Sequence, residues 1–262
     1  MRENTLKSSW NAGEATLGLW LSSPDPIGAE QLAAIDFDYI CVDLQHGLIG
    51  YDSSLPLLQA VRHGTAIPIC RAPWNEPGII GKLLDAGAMG IVVPMVNSAA
   101  EAEQAVRACR YAPVGARSFG PARAAAVHGA DYASEANAQI ACIPMIETVE
   151  ALGNLDAILD VPGIDAVYVG PADLSISLGL PPGVDNDDPS FVEAIDAILA
   201  ATAARGIAAG IHSAPSVAPK RVEQGFTMVT VTSDLQALGT GARAGLKEAR
   251  GGGDEASSKK MY

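Results

Sequence analysis

The sequence predicts an α/β protein folded as a TIM (β/α)8 barrel. Short apolar runs alternate with segments of helical periodicity, and eight such units fit in 262 residues. Most of the runs are apolar throughout, as expected for parallel strands that are buried on both faces. A doubly wound sheet has the same local pattern and is the alternative. It would place a glycine-rich phosphate loop after the first strand, and Leu21–Asp25 is not such a loop.

Each predicted strand is followed by a predicted helix. The strands are Leu17–Leu21, Tyr39–Val42, Ile67–Cys70, Gly90–Val96, Ile140–Glu147, Ala166–Val169, Ile207–Ile211 and Phe226–Val231. The helices are Ile27–Ile35, Ser53–Arg62, Ile79–Ala86, Ala99–Arg110, Val149–Leu159, Phe191–Arg205, Val217–Gln224 and Leu235–Arg250. We expect Ser53 or Ser54 to cap the second helix and Gly87 to end the third.

Two connections are too long to be simple turns. Tyr111–Gln139 contains a short helical candidate near Asp131–Asn137, and Leu178–Pro189 is rich in glycine, proline and aspartate. We predict that both form lids or walls of a site. Residues 1–250 are expected to form a single barrel domain, and the polar tail 251–262 is expected to be disordered.

Composition excludes several classes of function. The net charge is −13 and the sequence pI is about 4.6, with no basic stripe, so a nucleic acid partner is not expected. No apolar run approaches the roughly 20 residues of a membrane helix. Met1–Trp10 contains no apolar segment typical of a signal peptide. Four cysteines without a CxxC pair predict buried free thiols in a reducing cytoplasm; they are Cys41, Cys70, Cys109 and Cys142.

Chemically able side chains follow several predicted strands. Because active sites of barrels lie at the carboxyl ends of the strands, we expect these side chains to face one another. The set is Asp43, Gln45, His46, Arg71, Trp74, Glu147, Asp173 and His212.

Glu147 and Asp173 stand at the carboxyl ends of two successive predicted strands. Two carboxylates with no cysteine cluster nearby suit a hard divalent ion such as Mg²⁺ or Mn²⁺. The alternative is structural, with Glu147 capping the following helix and Asp173 beginning a loop. The spacing alone leaves both interpretations open.

Three other features allow either a functional or a structural interpretation. Asp43 precedes His46 by three residues and could orient its imidazole as a base, or His46 could be a structural loop histidine. Arg71 interrupts an apolar strand and requires an anionic partner, which could be a buried carboxylate or a developing oxyanion. Gly170–Ala172 allows backbone N–H groups to approach a substrate carboxylate, or forms a tight turn.

The lysines exclude one kind of chemistry. A Schiff-base aldolase or a pyridoxal phosphate (PLP) enzyme needs a lysine in its site. No lysine follows or lies in a predicted strand; the six are Lys7, Lys82, Lys220, Lys247, Lys259 and Lys260. Carbanion chemistry would therefore depend on a metal and on arginine.

Several motifs, in order along the chain, closely resemble the metal-dependent (class II) pyruvate aldolases, the family of 4-hydroxy-2-oxoheptanedioate and 2-dehydro-3-deoxyglucarate aldolases. The similarity runs from about Leu17 to about Arg250. The motifs are Val42–Gly47, Arg71–Asn75, Leu84–Ala88, Val93–Val96, Ile146–Thr148 and Gly170–Ser175.

The resemblance implies a barrel of the phosphoenolpyruvate/pyruvate type whose last helix is swapped between subunits of a homo-oligomer, usually a hexamer. It implies Mg²⁺, Mn²⁺ or Co²⁺ on Glu147 and Asp173, and small-molecule partners, namely a 2-oxo acid and an aldehyde. Arg71 would stabilise the enolate oxygen of pyruvate, and His46, oriented by Asp43, would be the acid/base group.

The same resemblance implies further roles in substrate binding. Backbone groups of Gly170, Pro171 and Ala172 would hold the substrate carboxylate. From their positions after predicted strands, rather than from the resemblance, Gln45, Trp74, His212 and Ser213 are expected to complete the binding site.

The sequence departs from the family pattern at three places, which leaves the aldehyde unspecified. Met145 stands where glutamine is frequent, Gln45 stands where the heptanedioate aldolases have glutamate, and His212-Ser213 replaces apolar residues. The predicted reaction is reversible aldol cleavage of a 4-hydroxy-2-oxo acid to pyruvate and an aldehyde. The alternatives are a carbon–carbon lyase acting on an acyl-CoA, an oxaloacetate decarboxylase and a non-catalytic binding protein.

Overall fold

A computed structural model describes residues 1–251, and its eight strands form a closed parallel barrel in chain order, as predicted. The predicted tail therefore lies, apart from Gly251, outside the described residues. The strands are β1 (Thr16–Leu21), β2 (Tyr39–Asp43), β3 (Ile67–Arg71), β4 (Gly90–Val93), β5 (Ala141–Ile146), β6 (Ala166–Val169), β7 (Ala208–His212) and β8 (Met228–Ser233).

Thirteen helices are assigned within the described residues. They are α1 (Thr5–Asn11), α2 (Pro26–Ala33), α3 (Tyr51–Val61), α4 (Pro77–Asp85), α5 (Ala99–Cys109), α6 (Ala122–His128), α7 (Tyr132–Gln139), α8 (Val149–Gly153), α9 (Leu155–Leu159), α10 (Pro171–Ser177), α11 (Pro189–Ala203), α12 (Ala218–Glu223) and α13 (Asp234–Ala249).

Two details of the predicted helices are wrong. The cap of α3 is Gly50, three to four residues before the predicted serines, and Ser53 instead accepts the Gly50 N–H within the first turn. The predicted helix Val149–Leu159 is two helices, because the chain departs from helical geometry at Asn154. Gly87 does end α4, in a left-handed conformation with φ of 106°.

The strands pack against two buried apolar layers, one inside the barrel and one outside it. Inside the barrel, alternate strand residues form one cluster, and α1 closes its amino-terminal end with Leu6 and Trp10. Asn4 attaches this helix by donating to the Met89 and Gln139 carbonyls. A larger apolar layer packs between the outer faces of the strands and the helices. Helix α1 was not predicted, since only two of its seven residues are buried.

The segment Tyr111–Gln139 is not a wall of the site, contrary to prediction. It links the end of α5 to the start of β5, so it lies at the amino-terminal end of the barrel. There α6 packs against the end of α4, and His128 Nε2 bonds the Gly87 carbonyl at 2.9 Å. The other long connection, Leu178–Pro189, does contribute Val184 to the cavity described below.

The last helix, α13, buries none of its residues, and Leu235, Leu238 and Leu246 are exposed on it. All four cysteines are free and buried, as predicted. Within residues 1–251, every helix is too short or too polar to cross a membrane.

Candidate active site

A cavity of about 230 Å³ opens at the carboxyl ends of the strands. Its wall combines residues from β1, β2, β3, β5, β6, β7, β8, α10 and the loops that follow the strands. The lining residues are Trp20, Ser22, Asp43, Arg71, Met145, Tyr168, Gly170, Pro171, Ala172, Asp173, Val184, His212 and Ser233.

Asp43 and Arg71 form a buried ion pair on one side of the cavity. They are direct partners in the β2–β3 register. Arg71 Nε donates to Asp43 Oδ1 at 2.8 Å and Nη2 donates to Oδ2 at 2.6 Å, a two-pronged contact. Burial acts to raise the pKa of Asp43, but the hydrogen bonds and charge of Arg71 outweigh burial and leave this pKa lowered. The pair therefore stays charged.

The predicted contact between the Asp43 carboxylate and the His46 imidazole is not formed in the described structure. The carboxylate bonds Arg71 and accepts the main-chain N–H groups of Gln45 and His46. The reason is the strand register, which brings a guanidinium beside Asp43 before any loop residue can reach it. Asp43 therefore orients Arg71 rather than His46.

Arg71 is fixed on a second side by Trp20. The guanidinium carbon lies 4.5 Å from the centroid of the indole ring, a cation–π contact. Nε and Nη2 are occupied by Asp43, so Nη1 is the nitrogen that remains for a ligand in the cavity. The pKa of Arg71 is raised because the Asp43 contact outweighs the opposing effect of burial.

Glu147 lies immediately after β5 and is only 2% exposed. Oε1 accepts the Met95 N–H at 2.8 Å, and Met95 has the left-handed φ of 56°, which is uncommon for this residue type. Burial is the first cause that raises the pKa of Glu147 to about 7; the charge of Asp173 raises it further, against the Met95 N–H and Arg71. The helix cap here is Thr148, whose hydroxyl accepts the Ala151 N–H, and not Glu147.

Asp173 lies in the first turn of α10 and lines the cavity. The turn before it brings backbone close to Glu147: a Cβ on Gly170 would overlap Glu147 Oε2 and lie 3.1 Å from Met145 Cε. Glycine is therefore required at position 170 for Glu147 to occupy its position. Pro171 has no N–H, so the free donors of this turn belong to Ala172 and Asp173.

His212 ends β7 and lies edge-on to Trp20, with 5.4 Å between ring centroids. Burial, followed by the charge of Arg71, lowers the pKa of His212 to about 4. This histidine is therefore neutral at physiological pH. Below it, Thr230 joins the hydroxyls of Tyr39 and Tyr168 in a hydrogen-bonded network inside the barrel.

Eight of the twelve predicted site residues border the cavity or its wall, and four do not. Asp43, Arg71, Gly170, Pro171, Ala172, Asp173 and His212 line it, and Glu147 lies directly behind Gly170. The other four lie away from the lining. His46 is exposed and Gln45 half-buried on the loop after β2, Trp74 is 56% exposed after β3, and Ser213 is buried beside β8, donating its N–H to Thr230.

Sequence reasoning missed the aromatic part of the site. Trp20 and Tyr168 lie in strands, and their rings are 5.4 Å apart between centroids. An aromatic residue near the carboxyl end of a predicted barrel strand was the available signal. Ser22 and Ser233 were also missed, and their only signal was proximity to predicted strand ends; Val184 was not named, although it lies in the connection Leu178–Pro189 predicted as a lid or wall.

Two further facts constrain the chemistry. Each lysine among the described residues lies in a helix: Lys7, Lys82, Lys220 and Lys247. Within residues 1–251, no group of three or more histidine, cysteine, aspartate or glutamate side chains is arranged to hold a metal ion. A divalent ion between Glu147 and Asp173 would therefore need further ligands from water or substrate.

Known proteins with the same fold and similar sequence place the chain in a family. Residues 16–239 match the family HpcH/HpaI aldolase/citrate lyase. The chain belongs to this family. It is 41% identical to a hydroxypyruvate/pyruvate aldolase from Rhizorhabdus wittichii, over 94% of this chain and 99% of the relative.

Two further relatives agree. A 4-hydroxy-2-oxo-heptane-1,7-dioate aldolase from Salmonella arizonae is 39% identical, over 92% of this chain and 93% of that protein. The crystal structure of an HpcH/HpaI aldolase/citrate lyase family protein from Burkholderia cenocepacia superimposes with a TM-score of 0.88 at 33% identity, over 94% and 99% of the two chains. The predicted family, the barrel fold and the enzyme class, a lyase, are therefore confirmed.

Proposed function

We propose that this aldolase family member catalyses the reversible cleavage of a 4-hydroxy-2-oxo acid to pyruvate and an aldehyde. One observation carries the proposal: the buried Glu147 and the like-charged, exposed Asp173 lie near a guanidinium that Asp43 and Trp20 hold in place. Such an arrangement suits a reaction that develops negative charge on a small oxo acid.

The residues fit a divalent cation. Glu147 is buried and its pKa is raised to about 7, so a cation between it and Asp173 would relieve an unfavourable charge. Carboxylate oxygens select hard ions such as Mg²⁺ or Mn²⁺. When bound, the ion would supply positive charge that stabilises an enolate oxygen.

The chain's own residues bind and orient the substrate in this scheme. The N–H groups of Ala172 and Asp173 hold the substrate carboxylate. Arg71 Nη1 donates to the oxygen on C2. The proton of the 4-hydroxyl is removed, the C3–C4 bond breaks, and its electron pair becomes the enolate of pyruvate as the aldehyde leaves. Protonation at C3 then completes pyruvate.

His46 is the proposed carrier of the 4-hydroxyl proton. It lies on the loop that begins at Asp43, at the same end of the barrel as the cavity, and its side chain is exposed. In this proposal the loop brings the imidazole over bound substrate. His212 is an unsuitable base because its pKa is lowered to about 4; it contributes a neutral hydrogen-bonding group near the leaving aldehyde.

The test follows deuterium exchange into the methyl group of pyruvate. Chelator-stripped protein should catalyse little exchange, and added Mn²⁺ should restore it, because enolate formation precedes any carbon–carbon bond. Metal-independent exchange, or none with metal, would contradict the enolate mechanism. Aldol addition to a panel of aldehydes would then separate an aldolase from an oxaloacetate decarboxylase, which forms the same enolate but joins no aldehyde.

We also propose a homo-oligomer in which α13 covers a neighbouring subunit, with a hexamer as the expected assembly. The support is that α13 buries none of its sixteen residues and exposes Leu238 by 70%. Leu238→Glu should lower the mass measured by light scattering. An unchanged mass would remove α13 from the interface.

A further inference from the structure

Three arginines converge at the amino-terminal end of the barrel, opposite the active site. We call them the arginine cluster: Arg2 precedes α1, Arg62 follows α3, and Arg123 lies in α6. Arg62 and the adjacent His63 precede β3 at its amino-terminal end, whereas Arg71 ends the same strand at the active site. In a chain with net charge −13, such a concentration of positive charge requires an explanation.

The cluster differs from the other arginines in its partners. Elsewhere, each buried or half-buried arginine forms a salt bridge with an aspartate; these are Arg71, Arg110, Arg117, Arg205 and Arg221. Arg2 and Arg123 are also half-buried, yet none of the salt bridges within residues 1–251 involves a member of the arginine cluster. Burying cations without a counter-charge is unfavourable.

Main-chain carbonyls hold two members of the cluster in fixed positions. Arg2 Nη2 donates to Thr65 O at 2.6 Å, and Arg123 donates to Ala86 O and to Leu58 O. Leu58 and Ala86 lie at the carboxyl-terminal ends of α3 and α4, whose dipoles stabilise a guanidinium but supply less than a full negative charge. The cluster is therefore positioned in advance, in the way that oxyanion sites are.

The positive charge of Arg62 acts on both other members of the cluster. Burial, and then the charge of Arg62, lowers the pKa of both Arg2 and Arg123. His128, buried among them, has a lowered pKa through burial and through the charges of all three arginines, against its bond to Gly87. An anion bound here would relieve this mutual repulsion.

A cavity of about 380 Å³ opens between α3 and α6 at the cluster. It is lined by Gln59, Arg62, His63, Arg123 and Val127. Two arginines, one histidine and one glutamine therefore border a space that is large enough for a small ligand. Its lining contains no carboxylate.

We propose that the arginine cluster binds a small oxyanion with two negative charges, either a phosphate group or a dicarboxylate, at the end of the barrel opposite the active site. The binding is electrostatic and bidentate, through Arg62 and Arg123, with His63 at the rim. The site does not depend on the reaction proposed above, since it shares no residue with the active-site cavity.

The experiment measures thermal unfolding against inorganic phosphate and against succinate, at constant ionic strength set with sodium chloride. The wild-type protein should show a saturable rise in melting temperature with at least one of them. Arg62→Gln should weaken the fitted affinity at least about tenfold. Because Arg62 is exposed, this substitution leaves the core intact.

Arg107→Gln is the matched control, since Arg107 is exposed on α5 and lies outside the cluster. It should respond as the wild type does. Equal responses of Arg62→Gln and Arg107→Gln would overturn the proposal, because the anion would then bind elsewhere, including at the active site. A fall in oligomer mass in Arg62→Gln would also overturn it, since the arginines would then bind acidic groups of a neighbouring copy.

Binding can be located independently through His63. Its imidazole resonance, assigned with His63→Gln, should shift with phosphate over the same concentration range as the melting temperature. The shift should be absent in Arg62→Gln and present in Arg107→Gln. A constant His63 resonance during a saturable thermal response would place the anion outside the arginine cluster and contradict the proposal.

Discussion

Two charged pairs at the same end of the barrel differ in how their charges are balanced. Asp43 and Arg71 have opposite charges and satisfy each other through two short hydrogen bonds. Glu147 and Asp173 have like charges, and burial with this repulsion raises the pKa of Glu147 to about 7. Within the first pair, the charge of Arg71 balances that of Asp43. Within the second pair, neither carboxylate balances the charge of the other. Perturbed groups of this second kind are characteristic of functional sites.

The largest effect is expected from Glu147→Gln. Removing one of two carboxylates should lower kcat/KM by at least about 10³-fold, because charge stabilisation worth several kcal/mol is lost. The same change should stabilise the metal-free protein above pH 7, since it removes the like-charge repulsion. The exposed neighbour Glu150 provides a control as Glu150→Gln. Loss of activity together with loss of stability would indicate a structural role for Glu147.

Asp43→Asn should break the balanced pair. It leaves the Arg71 charge buried without its partner, and removing one member of a buried ion pair costs about 3–5 kcal/mol of unfolding free energy. Urea unfolding measures this loss, and Asp52→Asn, on the exposed first turn of α3, is the surface control. If the two substitutions lower the unfolding free energy by the same amount, the Asp43–Arg71 ion pair does not stabilise the fold.

The Glu147–Asp173 pair predicts that the stability of the metal-free protein depends on pH. The pKa of Glu147 is raised from its usual 4.5 to about 7, so the folded state binds the proton more tightly than the unfolded state. The stabilisation is complete below about pH 4.5 and is lost as the pH rises through about 7, a change of about 3 kcal/mol. The difference in unfolding free energy between Glu147→Gln and metal-free wild type should grow over this range. A constant difference would contradict the raised pKa of Glu147, which burial and then the charge of Asp173 produce.

A smaller effect is expected from His46→Gln. Loss of a positioned acid/base group should slow aldol cleavage by about 10²-fold. The melting temperature and Mn²⁺ affinity should not change, because the side chain is exposed and lies outside both charged pairs. His63→Gln, at the opposite end of the barrel, is the matched histidine control. Equal loss of cleavage and of Mn²⁺ affinity would make His46 a structural residue.

The strands were predictable because each is a local, nearly continuous apolar run. Ala166–Val169 was predicted with its observed bounds, and Gly90–Val96 was too long only because the chain leaves the sheet at Pro94 and Met95. Helix α10 was missed, since its N-cap Gly170 and its first residue Pro171 are typical of a turn. Its helical geometry depends on packing against the barrel, which local sequence does not reveal.

The charged groups of the site were predictable, but their partners were not. Asp43 and His46 are close in sequence, which favoured a local pair, whereas the true partner of Asp43 is Arg71, 28 residues away. That contact depends on the β2–β3 register, which no local pattern specifies. The contact between Trp20 and Arg71 was likewise not predictable from local sequence, because it forms only when the barrel closes.

The central claim is that Glu147 and Asp173 together hold a divalent ion. A titration with Mn²⁺, in which electron paramagnetic resonance measures the free ion, tests this claim most directly. The control is Asp187→Asn, which alters an exposed acidic residue in the loop before α11. We expect one tight Mn²⁺ site per subunit in the wild type and in Asp187→Asn, and its loss in Asp173→Asn. A tight site that persists in Asp173→Asn would contradict the assignment of the ion to Glu147 and Asp173.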